Sequence, residues 1–141
     1  MGITLSDRER RFIALFEEET GATARDCIVD EDGDRVVFVV AVGEMRTAIG
    51  PDGRTVKGIE ERLGSDVRLI EDADTPEAFV ANALAPAAVY GVELEEDGTT
   101  VARADVADGD EGAAIGRGGR NIEVARRLAK RHFDIDDIQL A

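Results

Sequence analysis

The sequence predicts an α+β fold in which one α-β-β-α-α-β unit is used twice in tandem. Three observations carry this. The order of hydrophobic periodicities runs through helix, two strands, short helix, helix and strand by Ile70, and does so again by Leu140. A Gly-x-x-Gly stretch lies between the last two helices of each pass, Gly50-Pro51-Asp52-Gly53 and then Gly116-Arg117-Gly118-Gly119. The landmarks also keep step: Gly33 to Gly98 is 65 positions and Gly50 to Gly116 is 66. Chance rarely delivers that agreement. The units that follow are residues 1–72 and 73–141, with the polar joint Glu71-Asp72-Ala73-Asp74 between them.

Each element has a local reason. Ser6-Asp7-Arg8-Glu9 has the form of a capping box, so a helix starts there, buries Phe12, Ile13 and Phe16, and ends near Gly21. Cys27-Ile28-Val29 and Val36 to Val40 are β-rich runs around the Asp32-Gly33 turn, which is a hairpin signal. The second run is apolar at successive positions, so both faces of that strand should be covered. Asp30, Asp32 and Asp34 have the spacing of a calcium loop. The glycine and the distant Glu of such a loop are missing, and an acidic hairpin tip is preferred. Val42 to Ala48 is a short helix, Val56, Ile59 and Leu63 mark the next, Gly64 closes it, and Val67 to Ile70 is a strand.

The second pass opens with Thr75-Pro76, an N-cap followed by proline at the first helical position. That helix should bury Phe79, Val80, Ala83 and Leu84 and stop before Pro86. Tyr90, Val92 and Leu94 alternate as one strand face, Asp97-Gly98 is the turn, and Val101 to Val106 returns. A short helix leads through Ala113 and Ala114 to the second glycine stretch. The next helix carries Ile122, Ala125, Leu128 and Ala129 on one face, and Ile135 to Leu140 is the last strand. His132 stands at a helix C-terminus, where a capping role is expected.

Composition narrows the function classes. The net charge is −14, from 31 acidic and 17 basic residues, and only Lys57 and Lys130 are lysines. Acidic excess, scarce lysine and small apolar residues resemble proteins of salt-loving archaea, in which such charge serves solubility and says little about partners. One cysteine, Cys27, excludes an intrachain disulfide and a cysteine-based metal cluster. It lies in an apolar run and is expected to be a small core residue. Met1, Gly2 and Ser6 fit a myristoylation pattern, but Ser6 is better explained as the N-cap. No leader and no membrane span is read, and the expected location is the cytoplasm. No Gly-x-x-x-x-Gly-Lys phosphate loop occurs, Asn121 replaces the third glycine of any Gly-x-Gly-x-x-Gly match, and no nucleophile-base pair is evident. An enzyme is therefore not expected, nor a cofactor or metal.

The glycine stretches carry the chemistry. A loop without side chains at its ends can lay its backbone against a sugar-phosphate chain, and the helix that follows offers N–H groups to phosphates. That is the logic of the KH domain, whose GXXG loop clamps about four nucleotides of single strand. The α-β-β-α-α-β order with GXXG between the last two helices resembles the type II KH fold. Two such units in tandem, from about Leu5 to Leu140, resemble the archaeal NusA-like transcription termination/antitermination factors. The sharpest motifs are Ile49-Gly50-Pro51-Asp52-Gly53 and Ile115-Gly116-Arg117-Gly118-Gly119. The resemblance implies binding of single-stranded RNA linked to transcription elongation or termination, with RNA polymerase as a further candidate partner. Bacterial relatives add a polymerase-binding domain and an S1 domain, for which this chain has no room. A monomer is expected.

The two loops differ in charge. From Arg117 to Arg131 six cations, Arg117, Arg120, Arg126, Arg127, Lys130 and Arg131, face one carboxylate, Glu123. From Glu44 to Gly64, Arg46, Arg54, Lys57 and Arg62 are matched by Glu44, Asp52, Glu60 and Glu61, with Asp52 inside the loop. The second loop is therefore expected to be the main RNA site. Gly116, Gly118 and Gly119 would allow close approach, and Arg117 and Arg120 would touch phosphates. Arg126, Arg127 and Lys130 would add charge, while Ile115, Ile122 and Val124 would line the side where bases lie. Ile49, Gly50, Pro51, Asp52, Gly53, Arg54 and Lys57 form an auxiliary or mainly structural site. Two rivals remain: an acidic adaptor docking on polymerase or ribosome with idle loops, and a ribosomal RNA maturation factor using the same loops.

Overall fold

The computed structural model describes residues 4–30 and 34–141. The Asp32-Gly33 turn and Met1-Gly2 lie outside the described residues. Contacts divide the chain into two compact units, with the boundary between Asp72 and Ala73.

In the first unit, helix α1 (Asp7–Thr20) begins at the expected capping box. The Glu9 N–H donates to Ser6 Oγ at 3.1 Å, and the Ser6 N–H donates to Glu9 Oε1 at 2.8 Å. It ends at Gly21, whose φ of 77° lets its N–H reach back to the Glu17 carbonyl. Strands β1 (Ala24–Val29) and β2 (Arg35–Val40) pair antiparallel, and β3 (Asp66–Glu71) joins β2 in parallel. Parallel pairing needs a crossover, which α2 (Met45–Ile49) and α3 (Arg54–Leu63) supply. The short helix starts at Met45 and not at Val42, which stays 48% exposed ahead of it.

β2 lies at the centre of the sheet, and all six of its residues are buried. One face carries Val36, Phe38 and Val40, packed with Phe16, Ala48, Ile59 and Cys27. The Phe16 and Phe38 rings stack with centroids 4.5 Å apart. Arg35, 5% exposed, donates from Nε to Asp30 Oδ2 at 2.8 Å. A buried guanidinium needs such a partner. Asp30 thus partners a buried guanidinium between β1 and β2.

The second unit repeats the plan with α4 (Pro76–Ala83), β4 (Val89–Asp97), β5 (Thr99–Val106), α5 (Glu111–Ile115), α6 (Arg120–Phe133) and β6 (Asp137–Leu140). Its sheet order is β4-β5-β6, antiparallel and then parallel, as in the first sheet. Thr75 caps α4 by accepting the Ala78 N–H at 3.2 Å. Phe79, Val80, Ala83 and Leu84 are buried as expected. One expectation fails on β4. The register slips between Val89 and Gly91, and this bulge turns Tyr90 outward, 74% exposed, while Val92 and Leu94 stay half-buried. An extra residue in one strand breaks the alternation of the sequence pattern. Among the described residues, no helix is long and apolar enough to cross a membrane.

Candidate nucleic-acid interface

The glycine stretches take the same shape in both units. Gly50 has φ 77° and ψ 173°, and Gly116 has φ 78° and ψ 171°. Asp52 (φ 54°, ψ 26°) corresponds to Gly118 (φ 62°, ψ 17°), and Gly53 (φ 73°, ψ 13°) to Gly119 (φ 82°, ψ 8°). The fourth residue closes each turn on the first: the Gly53 N–H reaches the Gly50 carbonyl at 3.1 Å, and the Gly119 N–H the Gly116 carbonyl at 3.0 Å. A φ near 77° with ψ near 173° is open essentially to glycine alone. Crowding adds a second reason. A Cβ on Gly50 would overlap the Thr55 side chain, and one on Gly116 would lie 2.6 Å from Asn121 Cγ.

Behind each loop an α-helix starts on a glycine, Gly53 for α3 and Gly119 for α6, with no side chain capping it. The loop itself takes the N–H of the first helical residue in each, Arg54 on the Pro51 carbonyl and Arg120 on the Arg117 carbonyl, and the positive end of each helix dipole faces the loop. Ahead of each loop stands one exposed isoleucine, Ile49 at 38% and Ile115 at 39% exposure. Loop, helix start and apolar residue form one constellation, built twice.

The constellations differ in electrostatics. In the first, Arg54 pairs with Asp52 at 3.6 Å, both side chains open to solvent. Lys57 lines a cleft of about 580 Å³ with Asp34, Glu60, Glu61 and Asp66, so its charge sits among carboxylates. Pro51 and Gly50 border a second cleft of about 410 Å³ with Arg46, Thr47 and Thr55.

In the second, the six cations expected around the loop divide. Arg126 is occupied within its own unit. It donates to the Ile138 carbonyl from Nε and Nη2 at 3.3 and 3.0 Å, pairs with Glu123 at 2.7 Å, and lies 2.9 Å from Asp137 Oδ1. Lys130 is likewise engaged, with Asp134 at 3.0 Å and Asp136 at 2.8 Å. Hydrogen bonding to Asp136, then to Asp134, raises the Lys130 pKa above its ordinary value. The same bond, joined by the Thr100 N–H, lowers that of Asp136. Arg126 and Lys130, expected to add charge for RNA, are thus each tied to partners within their own unit. Both link α6 to the stretch from Asp134 to Ile138 that leads into β6, whose carboxylates the linear charge count left outside its window.

Arg117 and Arg127 are exposed, and Arg120 and Arg131 are half-buried. Ile122 and Val124, expected on the side where bases lie, are buried at 6% and 2% exposure. Val124 stands one helical turn before Leu128 and shares its inward face. Ile115 is the exposed large apolar side chain of this constellation. His132 lies beside Phe79, with ring centroids 6.0 Å apart.

Two residues at the loops were not signalled by composition or period. Thr55 and Asn121 each sit five positions after the first glycine and press on it, and Asn121 Nδ2 donates to the Ala113 carbonyl at 3.0 Å. Arg46, one helical turn before Gly50, borders the first loop's cleft, where the second unit has Gly112. The equal spacing from the glycine was the available signal for Thr55 and Asn121.

Comparison with known proteins follows this geometry. The KH domain family model matches residues 11–93, and the NusA-like second KH domain model matches residues 76–141. The chain is 62% identical over 141 residues to the probable transcription termination protein NusA of Halococcus morrhuae, covering 100% of both chains. It is 60% identical over 140 residues to the protein of that name from Halobacterium salinarum, covering 99% of each. The chain belongs to the NusA family. The crystal structure of APE1850 superimposes on this NusA-family chain with a TM-score of 0.81 at 33% identity, covering 97% of this chain and 100% of that one. The NusA-like match contains the whole second constellation. The broader KH match contains the first and runs on through α4 into β4.

Proposed function

We propose that this NusA-family chain is an RNA-binding transcription factor acting in elongation or termination. Its main single-strand clamp is the Gly116–Gly119 loop of a second KH domain spanning 73–141, and the Gly50–Gly53 loop of a first, spanning 1–72, is auxiliary. One observation carries the assignment. The two loops share a backbone conformation, but the αL position holds Asp52 in one and Gly118 in the other. A carboxylate there repels a phosphate and a glycine does not.

In this reading Gly116, Gly118 and Gly119 let the sugar-phosphate chain approach, and Arg117, with Arg120 and Arg127, meets phosphates. The start of α6 adds the positive end of its dipole, and a base rests on Ile115. Little aromatic surface is on hand for stacking, so binding is modest per nucleotide. Molar salt removes much of the gain from counterion release, which leaves packing and base hydrogen bonds to carry selectivity. The chain works as a cytoplasmic monomer by binding, not turnover, with RNA polymerase as a second partner. The names of its relatives support the link to termination.

The test is fluorescence anisotropy with short single-stranded RNAs in molar potassium chloride. It compares the wild type with Arg117→Asp/Gly118→Asp after circular dichroism has shown both to be folded. Binding by the wild type and none by the variant is expected. Equal binding by both would remove the loop from the site, and no binding by either would favour the adaptor reading.

A further inference from the structure

We infer that Asn121 is a positioning residue of the second clamp, holding the Gly116–Gly119 loop in its binding shape without itself touching RNA. The inference rests on the reading of that loop as a phosphate clamp. It starts from a weakness in the fold. Helix α5 has five residues, too few to be stable alone. Its last turn is held by the Ala114 N–H on the Asp110 carbonyl at 3.0 Å and the Gly116 N–H on the Gly112 carbonyl at 2.8 Å. The carbonyls of a helix's last turn have no partner within the helix. One of these, that of Ala113, is taken from outside by Asn121 Nδ2 at 3.0 Å.

Asn121 belongs to the first turn of α6 and Ala113 to α5, so this bond spans the loop and ties its two ends together. The same side chain lies where a Cβ on Gly116 would stand, 2.6 Å to Cγ and 2.8 Å to Nδ2. Glycine at 116 is thus what admits Asn121, and Asn121 in turn fills the space that glycine leaves. The first unit repeats the arrangement with Thr55 against Gly50. Two loops of one backbone shape each place a polar side chain on the first glycine, at the same spacing. A loop already held in the bound shape spends less of its binding energy on ordering.

The test separates positioning from contact. RNA affinity is measured by anisotropy across a range of potassium chloride for the wild type, Asn121→Ala, Asn121→Thr and Arg117→Ala. Removing a phosphate contact flattens the dependence of log affinity on log salt, whereas loosening the loop lowers affinity at every salt and leaves the slope alone. Arg117→Ala should flatten the slope. Asn121→Ala should weaken binding roughly fivefold to tenfold, the equivalent of one hydrogen bond, with the slope unchanged. Asn121→Thr, carrying the residue the first unit uses, refills the space against Gly116 without the bond to Ala113, should recover only part of that loss, and stays informative if the alanine variant fails to fold. Wild-type affinity in Asn121→Ala, or a slope flattened as in Arg117→Ala, would overturn the inference. Amide exchange at Gly118 and Gly119 in RNA-free protein gives a readout independent of the clamp reading. It should be faster in Asn121→Ala and intermediate in Asn121→Thr, and exchange unchanged in Asn121→Ala would also overturn the inference. If the loop loosens but no variant, nor the wild type, binds RNA, the clamp reading fails and the positioning role stands.

Discussion

Gly118→Asp, set against Gly118→Ala, isolates the charge that distinguishes the two loops. Both substitutions place a Cβ at φ 62° and ψ 17°, and nothing lies within 4 Å of that Cβ. The backbone cost for alanine in this left-handed region is about 1–2 kcal/mol of stability. Aspartate tolerates the region better, and the first unit already holds Asp52 at φ 54°. Gly118→Asp should therefore be at least as stable as Gly118→Ala. In binding the order should reverse. A carboxylate about 5 Å from a phosphate costs roughly 1 kcal/mol in bulk water and about 3 kcal/mol at the effective dielectric near a protein surface. That corresponds to a loss of roughly fivefold to a hundredfold in affinity. The screening length falls to about 3 Å at 1 M salt, so the gap between the variants should narrow as salt rises. Anisotropy titrations between about 0.5 and 3 M potassium chloride, with urea denaturation run in parallel, measure both orders. If Gly118→Asp binds RNA as well as Gly118→Ala at the lowest salt at which both are folded, the phosphate chain does not pass this loop and the reasoning fails.

Three further outcomes are expected. Asp52→Gly removes the carboxylate from a loop already shaped as a clamp and releases Arg54 from its 3.6 Å pair, so affinity for single-stranded RNA should rise several-fold, read by the same anisotropy titration. Leu128→Ala, at a fully buried position of α6, should cost about 2–5 kcal/mol in urea unfolding and speed amide exchange in the second unit. The Lys130–Asp136 contact predicts a pH effect: because the folded-state pKa of Asp136 is lowered, its stabilisation is present above the ordinary carboxylate value and lost as pH falls through the depressed one. The gap in melting temperature between wild type and Asp136→Asn should therefore hold near neutral pH and close in acid.

Much of this protein was legible along the chain because the signals that define it are local. Ser6 and Glu9 cap α1 across three residues, Thr75 and Pro76 open α4, and Gly21 and Gly64 end helices where a left-handed residue is needed. The repeat was readable because the two glycine stretches keep their spacing within one residue, and the required φ leaves glycine little competition. The turn at Tyr90 was not readable, because a bulge is decided by pairing with β5 and changes which residues share a face without changing the sequence pattern. The pairing of charges was hidden for a related reason. Arg126 and Lys130 look available in a window that stops at Arg131, yet their carboxylates, Asp134, Asp136 and Asp137, arrive from the turn after α6 and from β6. Asn121 joins them, since its worth lies in a carbonyl eight positions back across a loop. Caps, turns and glycine conformations are written in neighbouring residues. Which cation keeps its charge for a ligand depends on partners that only folding brings within 3 Å.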